Sequence, residues 1–110
     1  MIQDTLTQRG WDVVVREDGG SALAEIEGAE AYDLIITDYE LPGVNGVALT
    51  RAARATRHRR RTPIIMFTAS PVEREAREAG VDSFLRKPDD VGRLVEAIRG
   101  QLAGTRASRG

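Results

Sequence analysis

Along this chain, short apolar runs bounded by turn residues alternate with segments whose apolar positions recur every three or four residues. The first pattern is that of buried strands and the second that of amphipathic helices. Four runs read as strands: "WDVVV" (11–15), "DLIIT" (33–37), "PIIMF" (63–67) and "DSFLR" (82–86). The middle two are almost wholly apolar, as strands covered on both faces should be, and are expected at the centre of a sheet. Helical spacing predicts helices over about 20–27, with Leu23 and Ile26 on one face, over 46–57, and over 72–79, where Val72, Ala76 and Ala79 align. A last helix carries Val91, Leu94, Val95, Ile98 and Leu102, with Asp89 or Asp90 placed to cap its free N–H groups. Near the start, Ile2 and Leu6 keep helical spacing up to Gly10. Strands alternating with helices in this way predict an α/β fold with a doubly wound parallel sheet. One domain is expected over residues 1–103, with 104–110 as a flexible tail.

Composition narrows the setting. A chain of 110 residues with 41% hydrophobic residues can bury one modest core and no more. It has no cysteine, so disulfides and thiolate metal sites are excluded, which fits a reducing, cytoplasmic setting. No segment approaches the roughly 20 apolar residues that span a bilayer, and no membrane association is expected. The net charge of −1 hides an asymmetry, because Leu41 to Val72 holds six arginines and no acid. Most of that excess lies in "RHRRR" (57–61), which reads as a solvated loop; with no interleaved aromatic to stack on bases, nucleic acid is not an expected partner.

In an open parallel sheet, functional groups gather beyond the carboxyl ends of the strands. Asp38 follows "LIIT", Thr68 follows "IIMF" and Lys87 follows "SFLR", so one edge would carry a carboxylate, a hydroxyl and an ammonium. A carboxylate can attack phosphorus, a hydroxyl can hydrogen-bond the transferred oxygens, and an ammonium can balance their charge. Each residue also has a plainer reading: a turn-capping acid, a helix-capping threonine and a solvated lysine. Lys87 is the sole lysine among 16 basic residues, and a compact point charge suits a crowded phosphoryl site better than a planar guanidinium. Pro88, directly after it, would fix the direction in which it projects.

Taken together, "DLIITDYELPGVNG", "PIIMFTAS" and "EAGVDSFLRKP", in that order, resemble the receiver domain of two-component response regulators over nearly all of residues 2–102. The resemblance implies a flavodoxin-like fold with strand order 2-1-3-4-5 and a non-enzymatic signalling role in a phosphorelay. It implies that Asp38 accepts a phosphoryl group from a sensor histidine kinase or a phosphotransfer protein, and that the backbone carbonyl of Glu40 joins Asp38 in binding Mg²⁺. Thr68 and Lys87 would hold the phosphoryl oxygens, and Thr68 with Phe84 would form the switch. A downstream protein or a second copy of the chain would receive the signal. Two other readings compete: an interaction module that no longer depends on phosphorylation, and a haloacid-dehalogenase-like phosphohydrolase. The latter expects a catalytic Asp two positions after its nucleophile, where Glu40 stands.

Two departures from the receiver pattern shape the expectations. Receivers begin with an apolar strand ending in an acidic pair that holds Mg²⁺, whereas this chain opens at "MIQDTLTQRGW", which resembles the latter half of the first helix. The sheet is therefore expected to be truncated, with four recognisable strands, and Mg²⁺ binding to be weak. The gap so left invites a strand from another chain, or a sideways shift of "WDVVV" to pair with "DLIIT", which would carry Glu17 and Asp18 toward Asp38. The path from Thr68 to Lys87 is also about one helical turn short of the usual length, which trims the helix between them.

Overall fold

The structure, a computed structural model, describes residues 2–87 and 91–109. Eight regular elements follow in order: α1 (Ile2–Gln8), α2 (Gly19–Glu27), β1 (Ile35–Thr37), α3 (Gly46–Ala55), β2 (Ile64–Thr68), α4 (Glu73–Ala79), β3 (Ser83–Arg86) and α5 (Val91–Arg109). A 3₁₀ turn at Arg57–Arg59 separates α3 from β2. The strands form a parallel sheet in the order β1-β2-β3. Ile35 pairs with Ile64 and Thr37 with Met66, while Met66 pairs with Phe84 and Thr68 with Arg86.

The core explains the layers. All five residues of β2 are buried, and because side chains alternate across a strand they serve two separate clusters. Ile64 and Met66 join Ile26 of α2, Leu49 and Ala53 of α3, Ala76 of α4, and Phe84. On the other face, Ile65 and Phe67 join Leu6 of α1 and Leu94, Val95 and Ile98 of α5. Helices therefore cover both faces, as the apolar composition of "PIIMF" requires.

Local chemistry sets the helix ends. Asp18 caps α2, accepting the Ser21 N–H at 2.7 Å and its hydroxyl at 2.9 Å. Asn45 caps α3 through the Ala48 N–H at 2.9 Å. The last turn of α4 closes on Gly80, whose φ of 117° is open to glycine at little cost.

Three expectations are revised. Residues 11–17 pair with no strand, so the described sheet has three strands, and "WDVVV" has not shifted onto "DLIIT". Consequently β1 is an edge strand, where a central one was expected, and Ile36 is 36% exposed. The physical reason is distance: two clefts of about 310 and 590 Å³, both bordered by Val14 and Ile36, separate residues 11–17 from β1. Third, α5 continues through residues 104–109, where a flexible tail was expected. The capping role assigned to Asp89 or Asp90, and the role of Pro88, lie outside the described residues.

The basic loop also departs from its solvated reading, because Arg59 is only 1% exposed. Its guanidinium donates to the carbonyls of Ile26 (3.0 Å), Glu25 (3.1 Å), Gly28 (3.2 Å) and Glu30, and it lies 5.1 Å from the centre of the Tyr32 ring. It thus satisfies the carbonyls that end α2 and fixes the path into β1. Replacing it with a side chain of similar length that cannot donate, Arg59→Met, should destabilise the domain by about 2–4 kcal/mol, since several partly buried carbonyls would lose their partner. Urea unfolding should show a lower midpoint at unchanged slope.

Candidate functional site

The carboxyl ends of the three strands meet at one edge of the sheet. Asp38 stands directly after β1, Thr68 ends β2, and Lys87 stands directly after β3. The lysine is placed by the sheet itself, because its N–H donates to the Thr68 carbonyl at 2.9 Å and extends the β2–β3 ladder by one residue. From there its ammonium reaches Asp38 Oδ2 at 2.9 Å, passing 5.5 Å from the centre of the Phe67 ring.

The backbone around Asp38 is held tightly. The Thr37 hydroxyl donates to the Asp38 carbonyl at 2.8 Å, the Glu40 N–H donates to Asp38 Oδ1 at 3.2 Å, and the Gly46 N–H donates to the Tyr39 carbonyl at 2.9 Å. Gly46 begins α3 so close to this turn that a Cβ there would stand 2.2 Å from the Asp38 carbonyl oxygen. The sequence suggests only a turn at "NG"; the close approach is what demands glycine. Across the same edge, the Ser70 hydroxyl donates to Glu40 Oε1 at 3.0 Å and the Ser70 N–H donates to the Thr68 hydroxyl at 3.2 Å. Ser70 was not singled out from the sequence, although its place two residues after Thr68 in "TAS" was the available signal.

The candidate residues divide by exposure. The Asp38 side chain is 29% exposed and that of Lys87 41%, so both are open to solvent. Thr68 is wholly buried beneath them. Phe84, on the neighbouring strand, is 9% exposed and packs into the core on the α3–α4 face.

Among the described residues no three His, Cys, Asp or Glu side chains converge to hold an ion. Asp38 supplies one carboxylate, already shared between Lys87 and the Glu40 N–H. Asp18 is engaged as the cap of α2, which accounts for its carboxyl being held below the ordinary value, by the Ser21 N–H first.

The electrostatics of Asp38 follow from the same contacts. Burial pushes its pKa up, but hydrogen bonds from the Thr68 hydroxyl, the Lys87 ammonium and the Glu40 N–H, with the lysine charge, outweigh burial and hold it below the ordinary value. At neutral pH the group is an anion beside a cation, fit to act as a nucleophile toward an electrophilic phosphorus. A depressed folded-state pKa contributes stability that is present above the unfolded value of about 3.9 and is lost as pH falls through the folded value. Acidification below about pH 4 should therefore destabilise the parent more steeply than Asp38→Asn, which has no proton to gain there. Thermal melts of the two proteins across pH 2.5–6 check this.

Comparison with known proteins bears on the whole chain. Its sequence is 33% identical over 105 residues to the transcriptional regulatory protein CpxR of Escherichia coli, a match covering 93% of this chain and 43% of CpxR. It is 30% identical over 101 residues to the chemotaxis protein CheY of Pseudomonas aeruginosa, covering 89% of this chain and 82% of CheY. Thus the chain spans less than half the length of CpxR and most of that of CheY. In three dimensions it is similar to the receiver domain of a sensor histidine kinase from Pseudomonas aeruginosa PAO1, a structure with a magnesium ion coordinated in the active site cleft. The TM-score is 0.84 at 30% identity, over 93% of this chain and 85% of that one. A CheY-like receiver domain protein from Methanospirillum hungatei aligns with a TM-score of 0.88 at 26% identity, over 97% and 86%. These relatives carry the flavodoxin-like parallel fold that the sequence predicts. The model of the response regulator receiver domain matches residues 1–99, and the chain belongs to that family.

Proposed function

We propose that Asp38 is the phosphoacceptor of this receiver domain, and the observation that carries the reading is the 2.9 Å ion pair joining Asp38 to Lys87 above Thr68. In the transfer, a carboxylate oxygen of Asp38 attacks the phosphorus of a phosphohistidine on the donor protein. The P–O bond forms, the P–N bond breaks, and its electron pair leaves with the imidazole. Lys87 exchanges part of its contact with Asp38 for the phosphoryl oxygens, balancing charge that the aspartate alone could not hold. The buried Thr68 hydroxyl turns toward the same oxygens, and Phe84 follows into the space released, so that the loops after β2 and β3 adopt a second packing. A sensor histidine kinase or phosphotransfer protein is the donor, and the altered surface is read by a downstream protein.

Mg²⁺ would rest on Asp38, the Glu40 carbonyl and water, and it would supply positive charge to the transferred group. With one carboxylate available the ion binds weakly. The resemblance places a first strand and an acidic pair between residues 11–17 and β1, and no described strand occupies that position. The second reading is an interaction module independent of phosphorylation.

Incubation with a small phosphodonor such as acetyl phosphate, with intact-mass detection, separates the two. The first reading expects a single adduct of about 80 Da, the mass of one phosphoryl group gained, absent from Asp38→Asn. Thr68→Ala should retain the adduct yet lose the amide shifts around Phe84 that phosphorylation produces in the parent. An adduct persisting in Asp38→Asn excludes that residue, and no adduct at all in the parent favours the second reading.

The metal assignment has its own check. Mn²⁺ relaxation enhancement of amides near residue 38 should be weak in the parent and lost in Asp38→Asn, but unchanged in Glu17→Gln/Asp18→Asn. A drop in the double variant would return those acids to the metal site.

A further inference from the structure

Taking Asp38 as the phosphoacceptor, the reading on which this rests, we propose that Glu40 and Ser70 form a charge-operated latch: it ties the loop after β2 to the loop after β1, and a phosphoryl group on Asp38 opens it and frees the start of α4. Ser70 is held from two sides. Its hydroxyl donates to Glu40 Oε1 at 3.0 Å and its N–H donates to the Thr68 hydroxyl oxygen at 3.2 Å. Thr68 in turn hydrogen-bonds Asp38, whose Oδ1 accepts the Glu40 N–H at 3.2 Å. These contacts close a ring through both loops, and the ring holds two acids, Asp38 and Glu40. They are balanced unequally. Asp38 has Lys87 at 2.9 Å, whereas among the described residues Glu40 pairs with no cation.

A phosphoryl group raises the charge at Asp38 from one negative unit to about two at neutral pH. Lys87 offsets one of them, and the excess acts on the neighbouring unpaired acid, because like charges sharing a site repel. Swinging the exposed Glu40 side chain outward relieves that repulsion and gives up its hydrogen bond to Ser70. Little else then holds the start of α4. Val72, at its N-cap, makes no side-chain cap, and its N–H donates to the Ser70 carbonyl at 2.9 Å, so residue 70 sets where the helix begins. The far end is fixed: the Gly80 carbonyl accepts from Arg54 Nη2 at 2.7 Å and Nε at 3.0 Å, and Ala76 and Ala79 are buried. Opening the latch therefore loosens α4 from its first turn and leaves its last turn in place.

Amide hydrogen exchange of the full chain, read by NMR with and without acetyl phosphate and beside intact mass, tests this. On phosphorylation the parent should exchange about 2- to 10-fold faster at Ser70 and Val72, the effect of losing one hydrogen bond, with Val81 unchanged. Glu40→Gln keeps an acceptor for the Ser70 hydroxyl but carries no charge, so its phosphorylated fraction should exchange at both positions as slowly as its unphosphorylated one. Ser70→Ala lacks the latch: position 72 should exchange fast before any phosphoryl group arrives and gain nothing from it, which decides the matter even where Glu40→Gln takes up no phosphoryl group. No adduct in the parent, or one persisting in Asp38→Asn, fails the phosphoacceptor reading itself. An adduct confined to Asp38 that leaves Ser70 and Val72 slow, or speeds them equally in Glu40→Gln, overturns the latch alone, as does slow exchange at position 72 in Ser70→Ala.

Discussion

Burial of β2 on both faces is the constraint on which the rest of the molecule depends. A strand whose five residues are all shielded from water needs a helical layer on each side, and the chain meets this with α2, α3 and α4 on one face and α1 and α5 on the other. Each buried apolar side chain is worth about 1.5–3 kcal/mol relative to exposure, so this strand alone anchors a large share of the folding free energy. It also aligns the neighbours: with β2 fixed, parallel register brings the ends of β1 and β3 to the same level as Thr68.

The chemistry at the sheet edge is a by-product of that register. Lys87 reaches Asp38 because the ladder continues one residue past β3, and Asp38 holds still because the start of α3 presses a glycine against its carbonyl. Neither residue needs a long, flexible loop to find the other. The resulting ion pair keeps the acid ionised and fixes the ammonium at the sheet edge.

At the opposite end of the sheet, arginines do structural work that their charge alone would not suggest. Arg59 gathers four carbonyls at the exit of α2, and Arg54 donates to the carbonyls of Gly80, Arg60 and Thr62 and to Asp82 at 2.9 Å. Asp82 in turn accepts the Ile64 N–H that opens β2. A planar fork with five donors can collect several carbonyls at once, which a lysine could not match. The chain thus spends two of the arginines in its acid-free stretch on closing backbone ends and keeps its lone lysine for the functional edge.

Much of this was legible in the sequence because it is local. Unbroken apolar runs announce β2 and much of β1, three- and four-residue spacing announces the helices, and the residues just past the runs, Asp38, Thr68 and Lys87, are those that meet at the sheet edge. What the sequence could not decide was non-local. "WDVVV" has every local mark of a strand, but a strand exists only with a partner, and whether an edge lies within reach is set by how helices on both faces space the sheet. The same holds for Arg59, which reads as one more charge in a basic loop until folding brings the end of α2 against it, and for Gly46, whose necessity appears only when the Asp38 carbonyl is in place. Periodicity and residue type determined which segments fold and which groups reach the edge. The tertiary structure alone decided which edges were paired and which charges buried, because those depend on distances between segments far apart in the chain.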